Sequence, residues 1–381
     1  MDFQQEFPLD PELCYLNHAA VAPWPVRTAQ AVSNFAQQNA TQGARSYPEW
    51  LKTETELRQR LQALINAPHW RDIALLKNTS EALSFVAQGL DWNPGDQIVI
   101  TGDEFPSNRI VWEALSKQGV KVVEADLHGD ESPEEAILDA TSRATKLVSI
   151  SSVQYASGIR LNLEYLGQEL HRRGILFCVD AIQSIGALQF DAQRIGADFV
   201  MADGHKWMLG PEGLALFYVK PALRNRLKLI EYGWHMVQNR GNYDLKHWYP
   251  AEDATRFECG SPNMLGIHAL NASLSLLLEV GMDQVEERLQ QNMSTLIEAL
   301  SSVDGIRFLS PRARNERAGI VTFEIEGIPS NNLYQALMAR GVICACRGGG
   351  IRFSPHFYTS EQVLLRAVEV LRELIRDKRL R

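Results

Sequence analysis

The chain is short of cysteine, of net positive charge, of long apolar runs and of repeats, and each shortage narrows what it does. Its 381 residues hold five cysteines, an odd count with no metal-ligand spacing. Cys344-Ala345-Cys346 is too tight for a zinc knuckle, so neither a disulfide framework nor a structural zinc site is expected. The formal net charge of -8 argues against nucleic acid or an anionic membrane as partner. No apolar run reaches membrane-spanning length. Met1-Asp2-Phe3-Gln4-Gln5-Glu6-Phe7 lacks the basic and apolar regions of a signal peptide, so a cytoplasmic protein is expected. No His-Glu-x-x-His motif and no Walker loop occurs.

What remains is an ordinary globular composition, 45% hydrophobic and 22% charged, long enough for a large core and two domains. Strand-length apolar runs such as Ile73-Ala74-Leu75-Leu76, Gln97-Ile98-Val99-Ile100-Thr101 and Lys146-Leu147-Val148-Ser149-Ile150 alternate with helical segments. That alternation predicts a mostly parallel sheet with ligands at the carboxyl ends of its strands. Helices are expected over about 49–66, 109–118, 133–141, 264–277, 282–300, 331–340 and 360–377.

One stretch places a lysine where lysines seldom go. Ala202-Asp203-Gly204-His205-Lys206-Trp207-Met208-Leu209-Gly210-Pro211-Glu212-Gly213 lies between the apolar runs 199–202 and 214–219. Glycines and Pro211 mark tight turns around it, and Trp207, Met208 and Leu209 surround the amine with apolar groups. A partly desolvated ammonium has a lowered pKa and becomes a nucleophile toward carbonyl carbon. One strand earlier, Gly174-Ile175-Leu176-Phe177-Cys178-Val179 ends on the carboxylate of Asp180, with Gln183 just beyond. A lone aspartate there is as readily a helix cap. Paired with Lys206 it suits pyridoxal phosphate, whose ring nitrogen an anion keeps protonated.

The order strand-Asp-x-x-Gln followed by x-Gly-His-Lys-Trp resembles the class V aminotransferase and cysteine desulfurase superfamily of fold-type I pyridoxal phosphate enzymes, and the likeness covers nearly the whole chain. The resemblance implies an α/β fold with a mostly parallel central sheet flanked by helices and a smaller α+β C-terminal domain. The large domain would span 16–255, and the small one 1–15 with 256–381. It implies pyridoxal 5'-phosphate as cofactor, Lys206 as Schiff-base lysine, and Asp180 against the ring nitrogen. Thr79 and Ser80, at a strand-to-helix turn where free amides favour an anion, would hold the phosphate. Asn78 and Glu81 in the same turn also read as a plain capping box. Phe105 would stack on the ring, Gln183 would meet the ring oxygen, and His205 would touch the phosphate. Asp203 stands where many relatives carry a serine phosphate ligand, and a carboxylate there repels a phosphate; it is kept as a candidate cofactor contact, and either it points away onto a backbone amide or a base or the phosphate pocket is built differently.

Ser261, in Glu258-Cys259-Gly260-Ser261-Pro262, corresponds to a hydroxyl that reaches the neighbouring subunit's phosphate, which implies a homodimer. Arg352 aligns with the clamp for the substrate carboxylate. Asn17, His18 and either Gln154 or Tyr155 become candidate contacts with substrate or ring. The implied substrate is an amino acid, and the nearest branch is the isopenicillin N epimerase-like one. A class V aminotransferase-like reaction is the first expectation. A desulfurase, a C–S lyase or an epimerase on the same scaffold is the alternative. Phe105, where desulfurases often have histidine, and the missing Arg-x-Gly-x-His-Cys loop both lean away from a desulfurase. A non-catalytic relative would ordinarily have lost the lysine.

Overall fold

A computed structural model describes residues 3–376 and 380. The chain opens with β1 (Cys14–Tyr15), α1 (Val26–Gln42) and α2 (Tyr47–Ile65). The alternating region follows: β2 (Ile73–Leu76), α3 (Thr79–Gly89), β3 (Gln97–Thr101), α4 (Ser107–Glu113), β4 (Lys121–Ala125), α5 (Pro133–Asp139), β5 (Thr145–Ser151), α6 (Leu163–Arg172), β6 (Leu176–Asp180), α7 (Ala192–Ile195), β7 (Phe199–Asp203) and β8 (Ala215–Val219). The C-terminal part comprises α8 (Met264–Val280), α9 (Met282–Ser301), β9 (Ile306–Phe308), β10 (Val321–Ile325), α10 (Ser330–Ala339), β11 (Val342–Ile343), β12 (Ala345–Arg347), β13 (Gly350–Phe353) and α11 (Glu361–Ile375).

Seven strands form the main sheet in the order β2-β8-β7-β6-β5-β3-β4. The pairs from β7 through β6, β5 and β3 to β4 are parallel, and only β8 runs against its neighbours β7 and β2. Strands buried on both faces need apolar residues at consecutive positions, and Phe199–Asp203 and Ala215–Val219 are buried throughout. The parallel register therefore carries the ends of β3, β5, β6 and β7 to one edge of the sheet. A second, four-stranded antiparallel sheet has the order β12-β13-β10-β9. Its apolar face packs on α9, α10 and α11 around Leu289, Met293, Phe323, Leu333, Phe353 and Leu364.

Three expectations shift. Residues 109–118 do not make one helix: α4 ends at Glu113, and a 3-10 turn, Ala114–Gln118, closes on Gly119 at φ 80°, a left-handed conformation that suits glycine. The last helix ends at Ile375, and Asp377 lies outside the described residues. A boundary at 256 would assign α8 to the C-terminal unit, yet Ile267, Leu270, Leu274 and Leu277 pack into the core beneath the main sheet, against α1 and α2. Among the described residues no single helix is long and apolar enough to cross a membrane; α8 and α9 reach that composition only together, bent by 82°.

A buried ion cluster fixes the approach to Ser261. Arg58, 2% exposed, donates to Glu54 Oε1 at 2.6 Å and to both Glu258 oxygens at 2.7 and 2.8 Å, and Glu258 Oε1 also accepts from the Leu75 amide. The guanidinium thereby ties α2 to the start of the main sheet. Glu54, His235 and Glu258 lie close enough to ligate a metal, but Arg58 already supplies the positive charge.

Candidate active site

The loops at the carboxyl edge of the main sheet converge on Lys206. After β7 the chain turns sharply: Gly210 N–H donates to the Gly204 carbonyl at 2.8 Å, and Leu209, held at φ 61°, donates to the Lys206 carbonyl at 3.0 Å. A branched residue in the left-handed region is strained, and it persists because the surrounding core leaves it no alternative. Trp207 is fully buried; its indole donates to Gln183 Oε1 at 2.8 Å, and its carbonyl meets His356 Nε2 at 3.1 Å. Gly186, at φ 92°, lets the loop after β6 pass against the Trp207 carbonyl where a Cβ would have no room. The lysine is thus held by backbone packed on three sides.

Lys206 is 9% exposed. Burial pushes its pKa down, against the attraction of Asp180, and Arg352 pushes the same way as burial. Asp180, 2% exposed, sits one strand away; burial raises its carboxyl, against the Ile182 amide that donates to Oδ1 at 3.1 Å. The Asp180 charge opposes burial at Lys206, and the Lys206 charge opposes it more weakly at Asp180. The Phe105 ring centroid lies 5.7 Å from Lys206 Nζ and meets Tyr155 edge-on at 5.2 Å. Arg352 is 2% exposed on β13 and donates from Nη1 to the Tyr155 carbonyl at 2.7 Å. Burial lowers its pKa to about 10, so it stays a cation at neutral pH.

At the start of α3, Asn78 Oδ1 caps the helix by accepting from the Glu81 amide at 2.9 Å, but Glu81 accepts from the Lys77 amide at 2.6 Å and not from that of Asn78, so the reciprocal half of the expected capping box is not formed. Ser80 Oγ donates to Ser107 Oγ at 2.8 Å, while buried Thr79 Oγ1 has no partner. Asp203 points onto this helix start: Oδ2 accepts from the Thr79 amide at 3.4 Å, and Oδ1 lies 3.2 Å from His205 Nδ1 without hydrogen-bond alignment.

Two expected contacts also hydrogen-bond within the core. His18 is fully buried, with Nδ1 on the Ser354 carbonyl at 2.8 Å and Nε2 on the Tyr358 hydroxyl at 2.7 Å, and burial takes its pKa down to about 4. Both ring nitrogens are hydrogen-bonded inside the core, where His18 braces the segment. Gln183 bridges the Ala19 carbonyl, at 3.0 Å, to the Trp207 indole. Ser261 is exposed and not drawn into its own chain's Lys206 cluster. Between Gln154 and Tyr155, it is Gln154 that is fully buried with an unpartnered Oε1.

Sequence reasoning passed over Glu104. Its buried carboxylate accepts from Ser151 N–H and Oγ, Asn108 Nδ2, Thr101 Oγ1 and Gln154 Nε2, at 2.5 to 3.3 Å. Burial raises its pKa despite those donors. It locks the Phe105 loop to β5. Only the acidic residue inside a strand-end loop hinted at it, and a surface acid reads the same way.

Among the described residues, six of the ten buried side-chain atoms without a partner belong to these converging segments: Asn17 Oδ1, Thr79 Oγ1, Gln154 Oε1, Asp203 Oδ1, His205 Nδ1 and Arg352 Nε. Native interiors satisfy most buried polar atoms, so orphans gathered at one place mark where a polar ligand belongs. The donor set fits a flat, phosphorylated heterocycle: an acid for a ring nitrogen, an amine for a carbonyl carbon and a helix start for an anion. By contrast, a groove of about 1310 Å³ lined by Leu127, Arg160, Asp191 and Glu286 contains none of Lys206, Asp180 or Arg352.

Residues 14–362 match the model of the aminotransferase class-V family. The chain belongs to that family. It is a pyridoxal phosphate-dependent enzyme, a transferase or lyase, and its fold is that of the fold-type I enzymes. The probable cysteine desulfurase of Methanothermobacter thermautotrophicus is 31% identical across 96% of this chain and 95% of its own length. Its counterpart in Pyrococcus abyssi is 28% identical across 99% and 98%. Among solved structures, the apo cysteine desulfurase of Thermococcus onnurineus NA1 superposes with a TM-score of 0.87 at 25% identity, covering 98% of each chain. The cystine C-S lyase C-DES, solved with its product cysteine persulfide, gives 0.89 at 22%, covering 96% of this chain and 99% of its own. These relatives bear desulfurase and lyase names, not the isopenicillin N epimerase-like one expected from the motifs.

Proposed function

We propose that this enzyme is a C–S lyase that breaks the Cβ–S bond of a sulfur-containing amino acid by β-elimination, releasing the sulfur, pyruvate and ammonia. The observation that carries the reading is the placement of the thiols. A desulfurase attacks substrate sulfur with a cysteine thiolate, which requires an accessible thiol of lowered pKa facing the substrate. On the β12–β13 hairpin Arg352 stands opposite Ala345 and Cys346 opposite Ile351, so Cys346 and Arg352 lie on opposite faces. Cys344 is buried, and burial pushes its thiol up to about 12. Cys14 and Cys178 are buried with raised thiols, and burial together with Glu231 raises Cys259.

The remaining groups suit elimination. Bound pyridoxal phosphate supplies the sink for the electron pair left when the substrate loses its Cα proton. Lys206, with its lowered pKa, is the base that takes that proton. Arg352 binds the substrate carboxylate with two nitrogens in one plane. Thr79 and Ser80 hold the phosphate, Asp180 the ring nitrogen, and Phe105 covers one face of the ring. The Cα–H electrons form the new double bond as the sulfur leaves with the Cβ–S pair, and water then releases ammonia.

Product analysis tests this. L-cysteine should give pyruvate and ammonia in step with sulfide, L-cystine should give them in step with cysteine persulfide, and Cys346→Ala should leave the rate within about twofold. Alanine as the carbon product, or loss of turnover in Cys346→Ala, would establish a desulfurase instead.

The homodimer belongs to the same proposal. It is supported by exposed Ser261 and by exposed Tyr232, Trp234, Tyr243, Trp248 and Tyr249, an aromatic density typical of interfaces. Sedimentation should give twice the chain mass; a monomer at micromolar concentration would refute it.

A further inference from the structure

Asp203 puts a second anion at the place best suited to receive one. The start of α3 offers amides and a helix dipole to a negative group, and unpartnered Thr79 Oγ1, on a residue 5% exposed, points to a ligand there. Asp203 already touches the same helix start through the Thr79 amide and is itself 7% exposed, with Oδ1 left without a hydrogen bond. The carboxylate is therefore buried beside the helix start that a phosphate would use.

We propose that the cofactor's phosphate is held as its monoanion, with one proton shared between a phosphate oxygen and the Asp203 carboxylate, so that binding above neutral pH takes up a proton. Two bare anions at hydrogen-bond distance inside a water-poor site repel strongly. A shared proton converts that repulsion into a short, charge-assisted hydrogen bond. The second phosphate ionisation lies near pH 6, so placing the proton at pH 8 forfeits a factor of about 100. That penalty is smaller than the one for leaving two anions in contact. A serine, by contrast, donates to a dianion and needs no such proton.

The charged groups facing Asp203 are few. His205 and Lys206 come from its own loop, and Asp180 from β6. On α3, Thr79 and Ser80 bring no charge, and Glu81 is turned to Lys77. A protonated His205 would be the competing way to balance the charge, and it would leave the phosphate a dianion. The inference rests on the cofactor and is independent of which substrate bond breaks.

The probe is pyridoxamine 5'-phosphate, which has no aldehyde and so forms no bond to Lys206. Phosphorus NMR of the bound probe at about pH 8 should show the monoanion resonance that the free compound shows only below about pH 6. In Asp203→Asn and Asp203→Ser the bound probe should show the dianion resonance. The dissociation constant of the unmodified chain should rise about tenfold per pH unit across the alkaline limb, relative to either variant. A dianion resonance in the unmodified chain overturns the proposal whatever the variants do. So does a pH slope that either folded variant retains.

Discussion

Lys206→Met abolishes cofactor that can be fixed to the chain by borohydride and lowers turnover by about four orders of magnitude or more, since it removes the general base and the nucleophile together. It also stabilises the cofactor-free protein near pH 6. The sign follows from the direction of the shifts. Burial lowers the Lys206 pKa, so the folded chain pays for its ammonium at every pH below the folded value, and the cost fades as pH climbs toward the ordinary 10.5. Burial raises the Asp180 carboxyl above its ordinary 3.8, so its cost builds as pH rises from the unfolded value to the folded one and is full above it. Near pH 6 the methionine removes a costly charge and leaves Asp180 able to protonate; at higher pH an unpaired carboxylate erodes the gain. Thermal melts of both cofactor-free chains across pH 6–9 check this. A melting point below the parent's at pH 6, or borohydride-fixed cofactor in the variant, would refute the role given to the amine.

Arg352→Leu raises KM for the amino acid by about 30-fold to several thousandfold, equivalent to about 2–5 kcal/mol for a buried charge pair left without its partner, with a smaller change in kcat. Arg352→Lys keeps the charge but loses the planar fork and falls between the two. The parent enzyme should discriminate against an amine that lacks the carboxylate, and Arg352→Leu should lose most of that discrimination. An unchanged KM in both variants would show that the guanidinium only braces the Tyr155 carbonyl. The small sheet must bring this arginine to a lysine far from it in sequence, so KM also reports how the two sheets are set.

Much of the site was readable because its groups stand at the ends of apolar runs. Asp180 closes β6 and Lys206 follows β7, and once those strands are parallel neighbours their ends share an edge. Thr79 and Ser80 were legible for a similar reason, since a helix start announces itself through its caps. The core partners of His18 and Gln183 were not. A polar side chain serves the core or the ligand according to which groups the fold brings within 3 Å of it, and no local pattern reveals Ser354, Tyr358 or Ala19 as partners. Glu104 was hidden likewise, its donors coming from β3, α4 and β5 together with the loop that carries Gln154.

The sequence alone determined the class of chemistry: it put an acid and an amine behind neighbouring buried strands, where strand order and hydrophobic pattern leave one geometry open. Tertiary structure decided everything that depends on which side of a strand or helix a group faces. It turned Cys346 away from Arg352, set α8 beneath the main sheet, and laid Asp203 across the start of α3. The physical reason is that burial and periodicity are written locally along the chain. The partners that settle a side chain's charge and task arrive from segments tens to hundreds of residues away.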